Sequence, residues 1–136
     1  KITKEAENAL FNAELIIIAP SNPLVSIKPI LEIPGFKSII QKNNKKVIAI
    51  SPLIQGKAVK GPAIKMLKQL GFKPDSFSCM QIYKDICKSF ILDRSDEGLE
   101  KQFVSLNQKP IFTNTLMTSL ADKKRLAKFI INQPID

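Results

Sequence analysis

The sequence predicts an α/β fold, a parallel sheet with flanking helices, in a single domain over residues 1–136. Three observations carry this. Four apolar runs, Leu15 to Ala19, Val47 to Ile50, Phe90 to Leu92 and Pro110 to Thr113, have the length of strands and are separated by stretches of helical periodicity. Strands and helices alternating at this spacing make parallel βα units with right-handed crossovers. Small polar or basic residues then follow each run: Ser21 and Asn22, Lys57 and Lys60, Asp93, and Thr113 to Thr115. In a parallel sheet these ends share one edge, and that edge is where open α/β sheets bind ligands.

In chain order, Lys4 to Asn12 has helix-favouring composition, with Glu5, Ala6, Ala9 and Leu10. Leu15 to Ala19 is a continuous apolar strand, expected to be buried on both faces. In the following PSNPLVS, Pro20 and Pro23 fix a turn, while Ser21, Asn22 and Ser26 supply groups that either cap the next helix or bind an anion. Both roles are open at this point. Ile27 to Leu31 and Pro34 to Gln41 read as short helical turns, Asn43 and Asn44 as a turn, and Lys46 to Ile50 as the second strand. The helix Pro62 to Leu70 carries Pro62 in its first turn and Gly71 as its stop, with Ile64, Met66, Leu67 and Leu70 on the buried stripe. Ser78 to Ile86 is a further short helix whose Tyr83 is expected to be half-buried with a tethered hydroxyl. After the third strand, DRSDEG gathers Asp93, Asp96 and Glu97; Ser95 as an N-cap with acids in the first helical turn accounts for them without a metal and is preferred to the alternative, a magnesium site. Asp122 to Ile131 closes the chain as an amphipathic helix.

Composition narrows the classes. An apolar content of 44% argues against disorder, and 136 residues can bury a real core, so a soluble globular protein or a piece of one is expected. The longest apolar runs fall far short of the roughly 20 residues a membrane helix needs, so no membrane partner is expected. The chain opens on Lys1 with no apolar leader, which suggests a cytoplasmic protein represented by a fragment. With 21 basic against 12 acidic residues the net charge is +9, which suits an anionic partner. The Lys42 to Lys46 cluster reads as a solvated turn rather than a nucleic-acid patch, and no nucleic-acid partner is expected. Cys79 and Cys87 would lie about 12 Å apart on one helix, too far for a disulfide, and read as small core residues. Histidine is absent, which removes every Ser-His-Asp, Cys-His and His-metal mechanism from this segment.

The stretch around which the chain is organised is SPLIQGKAVKGPAIKML, Ser51 to Leu67. It joins a buried strand to a helix N-terminus, where unpaired N–H groups and a partial positive charge favour anions. Lys57 and Lys60 add cations, and Gly56 and Gly61 allow close backbone approach. The spacing supports two readings, an anion cradle or an ordinary basic connection whose lysines sit in water.

Here the sequence resembles a family. SPLIQGKAVKGPAIKM, together with the earlier LIIIAPSNPLVSIKPIL, resembles the 2-phospho-L-lactate transferase (CofD-like) family, over nearly all of these residues but only its C-terminal part. The resemblance implies a Rossmann-like sheet, a fragment of a larger three-layer domain, belonging to an enzyme that moves a phospholactyl group, or a related phospho-three-carbon-acid group. The donor would be guanosine diphosphate-linked, the acceptor a deazaflavin precursor, and magnesium would be required, with its ligands outside this segment. It further implies that Ser21, Asn22, Pro23 and Ser26, with Gly56, Lys57, Lys60 and Gly61, belong to the donor or phosphate side. A homodimer is compatible with it. The family's glycine-rich N-terminal loop and acceptor-holding residues have no counterpart here, so the segment alone is expected to be inactive. Ala19, Lys28 and Gln55 stand where the family usually has glycine, and Asn114 where it usually has Asp. An alternative within the same fold is a non-catalytic regulator binding a nucleotide or nucleotide sugar, although such proteins carry a glycine-serine loop in place of SNPLVSI and lack GKAVKGP. A basic nucleic-acid module would differ from both in salt-dependent oligonucleotide binding without nucleotide competition.

Overall fold

The computed structural model of the protein describes residues 1–59 and 61–134. Helix α1 spans Lys4–Asn12, with the Thr3 hydroxyl accepting from the Ala6 N–H at its start. Strand β1, Ile16–Ile18, leads through a π-helical turn, Pro23–Ile27, into α2, Lys28–Leu31, and α3, Phe36–Lys42. Strand β2 is Val47–Ile50, and two short strands follow, β3 at Leu53–Ile54 and β4 at Lys57–Ala58. Helices α4, Ala63–Gln69, and α5, Ser76–Met80, precede β5, Ser89–Asp93. A 3-10 turn, Arg94–Leu99, runs into α6, Glu100–Val104; then come β6, Lys109–Thr113, and α7, Leu120–Ile131.

Strands β1, β2, β5 and β6 form one sheet in that order, and every pair is parallel. The four apolar runs are therefore the four strands, and the α/β architecture is as the sequence indicates. The two-residue alternation of a strand divides the core. Val47, Ala49, Phe90 and Leu92 face the larger cluster, which includes Leu53, Leu67, Tyr83 and Phe103. Ile48, Ile50 and Ile91 face Leu126 and Ile130 of α7. Because β2 and β5 have neighbours on both sides and cover on both faces, all of β2 and the middle of β5, Phe90 to Leu92, are buried apolar residues.

Several expectations need correction. Strand β1 is not buried on both faces: it lies at the sheet edge, and Ile17 is 44% exposed. Pro62 sits at the N-cap of α4 rather than inside its first turn, and Leu70, beyond the last turn, is 60% exposed and outside the stripe. The segment 78–86 is not one helix but the end of α5 followed by a 3-10 turn, Gln81–Tyr83. Tyr83 is fully buried, and its hydroxyl has no partner among the described residues. The cap of the Arg94–Leu99 turn is Asp93, whose carboxylate accepts the Ser95 N–H; Ser95 is not the cap. The sequence also gave no sign of the β3–β4 hairpin, which is antiparallel and lies inside the long connection after β2. Among the described residues no helix is long and apolar enough to cross a membrane.

Candidate functional site

The parallel sheet brings the carboxyl ends of its four strands to one edge, and a cleft of about 240 Å³ opens there. The segments after β1, β2 and β6 contribute; that after β5 does not. Pro20 and Asn22 come from the turn after β1, and Ser51 and Pro52 from the turn after β2. Ile54 and Val59 enter from the hairpin, Ala63 from the start of α4, Thr115 to Met117 from the loop after β6, and Lys123 from α7. The lining is mixed: Ile54, Val59, Leu116 and Met117 are apolar, and Asn22, Ser51, Thr115 and Lys123 bring an amide, two hydroxyls and one ammonium. Such a mixture fits a ligand with a flat apolar part and an anionic part.

The loop after β1 takes its shape from Asn22. Its Oδ1 accepts the N–H groups of Leu24, at 2.9 Å, and Val25, at 3.4 Å, so Asn22 caps the π-helical turn. Its Nδ2 lies 3.5 Å from Met66 Sδ, tying this loop to α4. The capping role left open by the sequence is thus filled, and the same residue also lines the cleft. At α4, Pro62 makes no side-chain cap, so the first N–H groups of the helix, beginning with buried Ala63 at the cleft, have no capping side chain among the described residues.

The hairpin turn is Gln55–Gly56. Both residues have positive φ, 50° and 68°, as a two-residue hairpin loop of the I′ kind demands. A Cβ on Gly56 would come within 2.8 Å of the Pro74 carbonyl oxygen, so this glycine is required by space as well as by conformation. Gln55, where the resembled family usually has glycine, adopts the left-handed conformation without that freedom. Beneath the turn lies a buried polar group of three side chains. Ser51 Oγ is 3.1 Å from Ser76 Oγ, and Ser76 donates to Asp96 Oδ2 at 2.6 Å. Asp96 Oδ1 accepts the Gln55 N–H at 3.0 Å, and Ser51 Oγ accepts the Leu53 N–H at 3.1 Å.

Asp93 closes the far side. Oδ1 accepts from the Ser95 N–H and hydroxyl, and Oδ2 from the Thr115 N–H and hydroxyl, which binds the end of β5 to the loop after β6. Partial burial works to raise the Asp93 pKa, but these four donors together hold it below the ordinary carboxylate value. Asn114 Oδ1 accepts the Leu116 N–H in a local turn that an Asp could equally make, and Arg125 donates to the carbonyls of Asn114, at 2.7 Å, and Leu116, at 3.2 Å.

Of the residues singled out in the sequence, Asn22 lines the cleft. Ser21 is half-buried beside it, Pro23 is buried under the π-helical turn, and Ser26 is exposed. Gly56 is packed beneath Pro74, Lys57 is exposed on β4, and Gly61 has φ 79° with open space around its Cα. Lys60 lies outside the described residues. Lys123, Ser51, Ala63 and the Leu116–Met117 pair went unrecognised as cleft residues. For Lys123 the available signal was its place one turn into the helix after the last strand, which a parallel sheet delivers to the ligand edge. No three His, Cys, Asp or Glu side chains gather into a metal-binding group among the described residues. The oxygens of Asp93 and Asp96 are already committed to protein donors. The described residues therefore form no group that fits magnesium.

A parallel α/β sheet with a cleft of mixed apolar and polar lining and one lysine at the carboxyl ends of its strands is an architecture that suits nucleotides and other phosphorylated ligands. Comparison with known proteins goes further: the family model for 2-phospho-L-lactate transferase CofD matches residues 1–128, and the chain belongs to that family. It is 39% identical over 131 residues to the 2-phospho-L-lactate transferase of Methanocaldococcus jannaschii, covering 96% of this chain and 40% of that protein. The corresponding protein of Methanosarcina barkeri is 37% identical over 130 residues, covering 96% of this chain and 41% of its own length. The chain thus spans about two fifths of the length of these curated relatives.

Proposed function

We propose that this chain forms the donor side of a 2-phospho-L-lactate transferase, an enzyme moving a phospholactyl group from a guanosine diphosphate-linked donor to a deazaflavin precursor in the cytoplasm. The observation that carries the reading is the cleft at the carboxyl edge of the sheet in a chain of this family. Its uncapped α4 start and Lys123 suit the donor's phosphates, and its apolar lining residues suit a planar ring. Lys57, exposed on the hairpin that lends Ile54 and Val59 to the cleft, is a second candidate for those phosphates. Magnesium and the acceptor are held by residues beyond those described, so this chain's part is to bind and orient.

The protein as its gene encodes it should form phospholactyl deazaflavin from the two substrates with magnesium, read by mass spectrometry, and should bind GDP in calorimetric titration. A hydrogen bond to a charged group is worth roughly 1.5–3 kcal/mol, so Lys123→Ala should weaken GDP binding about tenfold or more. Because Lys123 is exposed, the ligand-free melting temperature should barely move. Transfer absent but GDP bound would favour the regulator reading; no GDP binding at all would overturn both.

A further inference from the structure

The buried carboxylate of Asp96 is not needed to cap a helix, since Asp93 does that. Asp96, Ser76 and Ser51 are 7%, 0% and 2% exposed, so in place of water they rely on one another and on the Leu53 and Gln55 backbone. Each serine has a single hydroxyl proton. The 2.6 Å contact assigns the Ser76 proton to Asp96, which leaves Ser51 to donate either to Ser76 Oγ at 3.1 Å or to the Leu53 carbonyl at 3.2 Å. With its donor used, the Ser51 oxygen accepts the Leu53 N–H. The other Asp96 oxygen takes the Gln55 N–H at the strained tip of the hairpin. One carboxylate thereby fixes both the start and the turn of the segment that carries Ile54 and Val59 to the cleft, and it orients the hydroxyl of Ser51 on the cleft wall.

We infer that Asp96 is a positioning residue: through Ser76, Ser51 and the Gln55 N–H it holds the β3–β4 hairpin in the conformation that forms the ligand cleft. This rests on the donor-binding reading above. Asp96 touches no ligand itself. Removing it should therefore loosen the hairpin and the ligand together while leaving the sheet intact, and a side chain of the same shape should restore both. Asn at this position can accept the Gln55 N–H through its oxygen and donate to Ser76 Oγ through its nitrogen.

The test uses the protein as its gene encodes it, with hydrogen exchange and GDP titration on Asp96→Ala, Ser76→Ala and Asp96→Asn. For Asp96→Ala we expect faster exchange at the Leu53 and Gln55 amides, unchanged protection at Ile48 and Ile91, and GDP affinity about tenfold weaker. Ser76→Ala should shift both readouts in the same direction, and Asp96→Asn should recover most of the affinity. GDP binding at full strength in both alanine variants, in a protein whose unaltered form binds GDP, would overturn the positioning role. So would loss of protection across β2 and β5, which would make Asp96 a residue of the fold as a whole. If the unaltered protein does not bind GDP, the donor reading falls and this inference with it.

Discussion

Asp122 shows how a single exposed carboxylate can be placed by its neighbours. Its Oδ2 accepts from the hydroxyl and N–H of Thr118, at 2.8 and 3.1 Å, and from the hydroxyl and N–H of Ser119, at 2.9 and 3.0 Å. Ser119 Oγ in turn accepts the Asp122 N–H, which completes a capping box at α7. The side-chain hydroxyls first, then the two backbone N–H groups, hold the Asp122 pKa at about 2 instead of 3.8. A depressed carboxylate stabilises the folded state above its unfolded pKa and loses that effect as pH falls through the folded value. The melting-temperature gap between the unaltered protein and Asp122→Asn should therefore be full above 3.8 and shrink as pH is taken towards 2. A gap that stays constant across this range would assign the cap to shape alone. Asp93 acts with the same sign, since its donors also lower its pKa.

At the scale of elements, the hairpin is the least regular part of the cleft and the most sensitive to backbone chemistry. A left-handed conformation costs an ordinary residue roughly 1–2 kcal/mol relative to glycine. Gln55 bears this cost at φ 50°, and Gln55→Gly should recover part of it, net of the entropy a glycine adds to the unfolded chain, for a gain of up to about 1 kcal/mol. Gly56→Ala combines the same conformational cost with a contact to the Pro74 oxygen, so it should destabilise by more than about 1 kcal/mol. Denaturant titration of the two variants should show midpoints moving in opposite directions. The same direction for both would mean that the turn does not set the local energy.

Across the whole molecule, the larger core cluster joins the sheet to the helices on one face, and both cysteines lie inside it. Cys87 Sγ lies 3.2 Å from the Val47 carbonyl and 3.0 Å from that of Ser89, while Cys79 sits in α5. Burial pushes both thiols up to about 12, so neither supplies thiolate at neutral pH, and neither is reachable without opening the core. A thiol reagent should modify neither cysteine in the folded protein, and both together as the core unfolds. Rapid labelling of Cys79 alone under native conditions would show that α5 opens as a separate unit.

The strands were legible because each carries a compact apolar run, and in β2 and the middle of β5 burial on both faces leaves no polar position to confuse the reading. The gathering of their carboxyl ends at one edge followed, and with it the neighbourhood of the cleft at Asn22 and the loop after Ile50, whereas the strand order came only from the structure. The family was legible for a different reason: two long motifs survive as contiguous strings. Sequence could not choose between capping and binding for Asn22, since the same amide serves either, and only the packed loop shows it capping at the cleft rim. Nor could it read Asp96, which looks like a first-turn acid until the chain folds Ser76 and Gln55 against it from 20 and 41 residues away. Lys123 likewise gains its place only when α7 packs on the sheet. Local pattern determined which segments bury themselves and in what order they run. Tertiary structure decided which polar groups meet, because hydrogen-bond partners remote in sequence are chosen by the packing of the apolar elements that carry them.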